Sequence, residues 1–93
     1  MLESSVPGLS ECQIRLLIKI LKLGWLESSK VHHISAESVR RRMPGPCLSS
    51  FNEDIAELAR LGFLKSRSYP ALTREAYPIT RRIYAERMRK SMA

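Results

Sequence analysis

The pattern of apolar residues predicts a first helix that begins near residue 10. Ser10 and Gln13 have the spacing of a capping box, in which two side chains satisfy amide donors of the first helical turn. Apolar residues then follow at the i, i+3, i+4, i+7 spacing of one helical face: Ile14, Leu17, Ile18 and Leu21. Leu16, Ile20 and Leu23 widen this face, which predicts either packing on two sides within the domain or a dimer interface.

Two further helices are predicted before residue 62. Ser35 is a plausible N-cap for a short second helix, which the Pro-Gly-Pro run at 44–46 would break. Ser50 and Glu53 form another capping box, and a third helix is predicted to bury three apolar side chains, Phe51, Ile55 and Leu58. Gly24 and Gly62 are expected to end the first and third helices.

Alternating residues predict strands in two places. Residues 30–34 suit a short strand, and residues 63–69 and 73–77 suit an antiparallel hairpin that turns at 70–72. A last helix is predicted from about residue 79 to 90, with Thr80 as its cap.

The order of these elements resembles the winged helix-turn-helix domain of small archaeal and bacterial DNA-binding regulators. The third helix leads into an apolar strand at Gly62, as a recognition helix leads into a wing, and Tyr77-Pro78-Ile79-Thr80 resembles the segment that leaves the wing. The resemblance implies an α+β, mainly α fold, with a β-hairpin wing and a C-terminal helix. We expect a flexible N-terminus at 1–9, the domain at 10–90 and a tail at 91–93.

Composition narrows the choice of partner. The chain of 93 residues can bury one small core, and its 16 Lys and Arg against 9 Asp and Glu give a net charge of +7. Residues 63–93 hold eight Lys and Arg against two Glu, so this third carries +6 of that total. Such concentrated charge favours a polyanionic partner, nucleic acid above all.

The chain contains no predicted transmembrane helix and no signal peptide, which predicts a cytoplasmic protein, or a nuclear one in a eukaryote. Cys12 and Cys47 are then expected to stay reduced. His32 and His33 lack cysteines at ligand spacing, so no metal site is predicted. We also expect no cofactor and no enzyme activity, because no catalytic cluster or phosphate loop is recognisable.

The winged-helix resemblance implies contacts to double-stranded DNA from the second helix, the third helix and the wing. Arginine and lysine would bind phosphate, and side chains at the start of the third helix would lie nearer the bases. The predicted contacts are Arg40, Arg41, Arg42, Ser49, Ser50, Asn52, Arg60, Lys65, Arg67, Tyr69 and Arg74. For the three successive arginines, a solvated helix end remains an equal interpretation.

One feature opposes DNA binding by the third helix. Residues 49–62 hold Glu53, Asp54 and Glu57 against Arg60 alone, a net charge of −2. The alternative function is therefore a protein-interaction domain of a nucleic-acid-processing complex, which docks through this acidic face. RNA binding is a further possibility, and a homodimer through the first and last helices is a hypothesis. A membrane-bound role for the last helix is not favoured.

Overall fold

The structure is a computed structural model that describes residues 8–23 and 35–92, the side chain of Met92 excepted. It contains α1 (Glu11–Lys22), α2 (Ala36–Arg40), α3 (Phe51–Arg60) and α4 (Ala76–Met92), with a 3-10 turn at Gly45–Cys47. Helix α1 packs against the other three helices. The central core is formed by apolar side chains from every helix and from the loop after α3: Leu16, Leu17, Ile20, Val39, Met43, Cys47, Phe51, Ile55, Leu58, Leu64, Leu72 and Ala76.

The predicted start of α1 is confirmed. The Ser10 hydroxyl accepts a hydrogen bond from the Gln13 backbone N–H at 3.1 Å, and the Gln13 side chain accepts one from the Ser10 N–H at 3.0 Å. Leu16 and Ile20 are buried together with Ile14 and Leu17. Packing on two sides within the chain therefore explains the broad apolar face of α1.

The two central helices also begin and end near their predicted positions. Ser35 caps α2 through its hydroxyl, and α3 buries Phe51, Ile55 and Leu58 as its spacing predicts. Gly62 follows α3 with φ of +87°, a left-handed conformation that suits glycine because it has no Cβ. The predicted capping box of α3 is wrong, since the Ser50 hydroxyl donates to the Asp54 carboxylate at 2.8 Å and makes no cap bond.

The winged helix-turn-helix fold class with a β-hairpin wing is wrong. Within the described residues 63% are helical, and the place of the wing holds one isolated antiparallel bridge, Leu64 to Leu72, in place of paired strands. Pairing stops because local contacts compete with it. The Ser66 hydroxyl accepts a hydrogen bond from the Tyr69 N–H, and Pro70 has no N–H to donate. The chain from α3 to α4 is therefore an irregular loop.

Helix α4 begins earlier than the sequence predicts. The Thr73 hydroxyl accepts a hydrogen bond from the Ala76 N–H at 3.2 Å, which starts the helix three residues before the predicted position. Pro78 is tolerated because the first-turn amides have no partner within the helix. Thr80, the predicted cap, is instead buried inside the helix. The predicted return strand at 73–77 is wrong for the same reason.

The two cysteines, expected to be reduced, form a disulfide. Cys12 in the first turn of α1 is bonded to Cys47 in the 3-10 turn, and their Cα atoms are 5.4 Å apart. The expectation of free thiols came from the predicted compartment, and the fold overrides it by placing residues 35 positions apart beside each other. The bond fixes the turn before α3 to the start of α1.

Several predictions fall outside the described residues: the short strand at 30–34, the absence of a metal site at His32 and His33, the helix end at Gly24, and the flexible segment over positions 1–7. Across positions 8–23 and 35–92, the helices are all too short or too polar to cross a membrane.

Candidate nucleic-acid interface

The loop between α3 and α4 is held in place at its base. The Lys65 N–H donates to the Ala71 carbonyl at 2.8 Å, and the Thr73 N–H donates to the Phe63 carbonyl at 3.1 Å. Leu64 and Leu72 between these bonds are buried in the core. The backbone of Lys65 therefore has a fixed position, although no strand is present here.

The tip of the same loop is tied to α2. The Ala36 N–H donates to the Ser68 carbonyl at 3.0 Å, which satisfies an amide that the first turn of α2 would otherwise leave free. The Ser66 hydroxyl closes a turn with the Tyr69 N–H at 3.0 Å, and Pro70 is fully buried. These contacts hold the backbone around Arg67 beside the start of α2.

This arrangement forms a groove between α2, α3 and the loop, which we call the loop groove. It has a volume of about 450 Å³ and is lined by Ala36, Asn52, Ile55, Arg67 and Ser68. Two of the predicted DNA contacts, Asn52 and Arg67, thus lie in one groove although 15 positions separate them in the chain. An amide and a guanidinium there can recognise base edges and phosphate oxygens, respectively.

Lys65 and Arg67 have the charge available for an outside partner. Both are exposed, and no carboxylate in the described part of the chain forms an ion pair with either. Tyr69 on the same loop is 53% exposed, and Arg74 is exposed near the start of α4. The loop therefore presents two cations and an aromatic ring within five residues.

The three successive arginines at the end of α2 differ from the loop. Arg40 and Arg41 lie 3.9 and 3.6 Å from the same carboxylate, Glu37, and the Arg42 guanidinium donates to the Ser38 carbonyl at 2.8 Å. Arg40 and Arg41 are thus paired with a carboxylate of their own helix, and Arg42 compensates a carbonyl at its negative end. The geometry favours the helix-end interpretation of this cluster over phosphate binding.

The face of α3 that carries its carboxylates has less unpaired negative charge than its sequence indicates. Asp54 is 7% exposed, and it accepts hydrogen bonds from Ser50 at 2.8 Å and Gln13 at 3.3 Å. Glu57 accepts two hydrogen bonds from Arg60, which lower the pKa of Glu57 and raise that of Arg60. Of the three α3 carboxylates, Glu53 alone remains exposed without a partner in the described residues. Arg60 is correspondingly engaged within the chain.

The remaining predicted contacts also include one exposed residue and one that is bonded within the chain. Ser49 is exposed in the turn before α3, whereas Ser50 is half-buried and bonded to Asp54. Ala36 and Ser68 line the loop groove but were not predicted. The Ser66 to Pro70 segment carried a usable signal, because serine and proline both favour turns and a serine hydroxyl can bond to the backbone of such a turn. The contact to Ala36 has no local signal.

Comparison of the chain with models of protein families, with curated proteins and with solved structures finds no match.

Proposed function

We propose that this protein binds double-stranded DNA through the loop groove, with Lys65 and Arg67 on phosphates and Asn52 nearest the bases. The observation that supports this proposal above others is the placement of Asn52 and Arg67 in one groove. Lys65, two positions before Arg67 in the chain, is exposed and has no ion pair with a described residue. A duplex carries closely spaced phosphates, and a fixed loop with two cations can follow that backbone.

Electrostatics supports the same surface. The main objection to DNA binding was the net negative charge of α3, but Asp54 is buried in hydrogen bonds and Glu57 is neutralised by Arg60. Only Glu53 then opposes a phosphate near the start of α3. The same pairing weakens the alternative of an acidic docking face for another protein, because such a face would retain one exposed, unpaired carboxylate.

The two ends of the proposed contact have different roles. Arg67 and Lys65 bind any sequence, because phosphate is the same at every step. Asn52 can donate and accept hydrogen bonds on an adenine edge and would supply any sequence preference. A transcriptional role was implied by the winged-helix resemblance, and without a wing the proposal is limited to DNA binding.

The test is fluorescence-anisotropy binding to a mixed-sequence duplex of about 25 base pairs at several salt concentrations. We expect wild-type affinity to fall steeply as salt rises. The variant Lys65→Gln/Arg67→Gln should bind more weakly, and its log-log salt slope should be smaller in magnitude by about 2, since two phosphate contacts are lost.

The matched control removes two unpaired cations from elsewhere, in Lys22→Gln/Arg81→Gln. It should leave the salt slope for duplex closer to wild type than the loop variant does. Equal losses in both variants would show that the whole basic surface binds duplex without a defined site. Absence of binding by wild-type protein at low salt would contradict the proposal and favour protein docking.

A further inference from the structure

A second groove lies between the end of α1 and the outer side of α4, and we call it the α1–α4 groove. It has a volume of about 560 Å³. Its lining combines two aromatic rings, two cations and three smaller apolar side chains: Leu21, Lys22, Tyr77, Arg81, Tyr84, Ala85 and Met88. None of these residues lines the loop groove.

Helix α4 presents this lining as a continuous stripe. Tyr77, Arg81, Tyr84 and Met88 are separated by four, three and four positions, so they share one helical face. The buried side chains of α4 occupy a neighbouring face, one residue earlier at each turn: Ala76, Thr80 and Ile83. Successive residues are rotated by about 100°, so the stripe flanks the core contact. Arg81 and Met88 in it are exposed, and Tyr77 and Tyr84 are half-buried.

The groove is positively charged. Its lining contains Lys22 and Arg81 but no carboxylate, and neither cation has an ion-pair partner within residues 8–23 and 35–92. The Arg81 guanidinium lies over the Tyr77 ring, 5.5 Å from its centre, which orients the cation without neutralising it. The charge of the groove therefore calls for an anionic occupant.

A second copy of the chain is a poor occupant. A two-fold interface places the same patch on both sides, so Lys22 and Arg81 of each copy would face like charges. No carboxylate in the groove would offset this repulsion. The predicted homodimer through α1 and α4 is thus disfavoured on charge, although α4 has two exposed apolar side chains, Ile79 and Met88.

We propose that the α1–α4 groove binds single-stranded nucleic acid, with a base stacked on Tyr84 and phosphates on Lys22 and Arg81. Unpaired bases stack on aromatic side chains, and the adjoining phosphates need nearby cations, so one ligand uses both features of the lining. An acidic peptide would use the cations but not the ring. This inference concerns a surface and a ligand class distinct from the duplex site, and it does not rest on that site.

The test is anisotropy binding to a labelled oligothymidylate of about 12 nucleotides, which is long enough to fill one site. We expect wild-type protein to bind, and Tyr84→Ala to weaken binding about tenfold through loss of stacking. Tyr84→Phe should stay near wild type, because it keeps the ring. Lys22→Gln/Arg81→Gln should bind weakly and with a smaller salt slope.

Two matched controls lie on the α3–α4 loop. Tyr69→Ala removes a tyrosine that is exposed, whereas Tyr84 is half-buried, and this variant should retain oligothymidylate affinity close to wild type. Lys65→Gln/Arg67→Gln removes another cation pair, and it should reduce oligothymidylate affinity less than Lys22→Gln/Arg81→Gln does. Since Lys65→Gln/Arg67→Gln is expected to lose more duplex affinity and Tyr84→Ala to lose oligothymidylate affinity, failure of either proposal can be recognised without the other. Circular dichroism on each variant checks that the helices remain folded.

Three results would overturn the proposal. Absence of oligothymidylate binding at about 50 mM salt would exclude the ligand. Equal affinities for Tyr84→Ala and Tyr84→Phe, with displacement of the oligonucleotide by polyglutamate, would assign the groove to an acidic protein segment. Sedimentation that shows a dimer in wild-type protein and a monomer in Tyr84→Ala would assign it to a second copy.

Discussion

The two ends of α1 make different kinds of contact with the rest of the chain. At its start, Cys12 is bonded to Cys47, the Glu11 carboxylate binds Arg87 of α4 at 2.8 Å, and Gln13 donates to Asp54 of α3. At its end, Lys22 lines an open groove and has no ion pair with another described residue. The start of α1 is thus cross-linked to the rest of the chain, whereas the cation at its end is available to a partner.

This difference indicates which charged side chains are available to bind a partner. The polar groups at the start of α1 satisfy one another and hold three elements together, so their removal should reduce stability. Lys22 at its end has no ion pair with a described residue, so its removal should affect binding instead. Substitutions at the two ends of α1 should therefore differ in how much they change the free energy of unfolding.

Loss of the disulfide should be the most damaging change. The bond closes a loop of 35 residues, and restricting the unfolded chain to that extent is worth about 4 kcal/mol. We expect Cys12→Ser/Cys47→Ser to lower the free energy of unfolding by about that amount, as measured by urea denaturation. Reductant should destabilise wild-type protein similarly and leave the double variant unchanged. Equal stability with and without the bond would contradict the cross-linked view of this end.

Removal of the Asp54 acceptor should have the next largest effect. Asp54→Asn weakens the hydrogen bonds from Ser50 and Gln13 that join α3 to α1, and we expect a loss of about 1–2 kcal/mol. Glu53→Gln is the matched control, because it also removes a charge from the first turn of α3 but is exposed. Its cost should be about 0.5 kcal/mol or less. Similar costs for both variants would show that the helix dipole, not the α1 contact, matters.

The ion pairs of Glu11 predict a stability change at acid pH. Hydrogen bonds from Arg87 and then Arg15 lower the pKa of Glu11 from 4.5 to about 2. Because the folded-state pKa is lowered, this stabilisation is present above pH 4.5 and is lost as the pH falls toward 2. Glu11 is half-exposed, so we expect only about 1 kcal/mol. Glu11→Gln should abolish that part of the acid dependence, and an unchanged pH profile in this variant would refute the prediction.

The sequence correctly predicted the features that depend on contacts between residues a few positions apart. The helical spacing of Ile14 and Leu17, the capping box at Ser10 and the stop at Gly62 are local, so they could be recognised without the fold. The alternation of apolar and polar residues at 63–69 is also a local pattern, but the strand that it predicted does not form there. There the Ser66 hydroxyl and the Thr73 cap compete with strand pairing, and alternation does not report such competition.

The candidate sites depend on contacts that the sequence could not reveal. Arg67 and Arg40 are both exposed arginines, but Arg40 lies near Glu37, and Arg67 lies in a groove with Asn52. Which basic residues are free is decided by the fold. The disulfide is a similar case, since nothing in the sequence shows that Cys12 and Cys47, its two cysteines, lie beside each other in the fold. The spacing of Tyr77, Arg81 and Tyr84 was visible in the sequence, but the groove that they line was not.

The smallest change in stability is expected when the cations of the α1–α4 groove are removed. Lys22→Gln/Arg81→Gln breaks no ion pair in the described structure and loses only an exposed cation–π contact, so the free energy of unfolding should change by about 0.5 kcal/mol or less. The same variant should lose oligothymidylate affinity, whereas the disulfide variant, at temperatures where it remains folded, should keep it. A loss of stability above about 1 kcal/mol would mean that these cations support the fold, and the two ends of α1 would then differ in degree only.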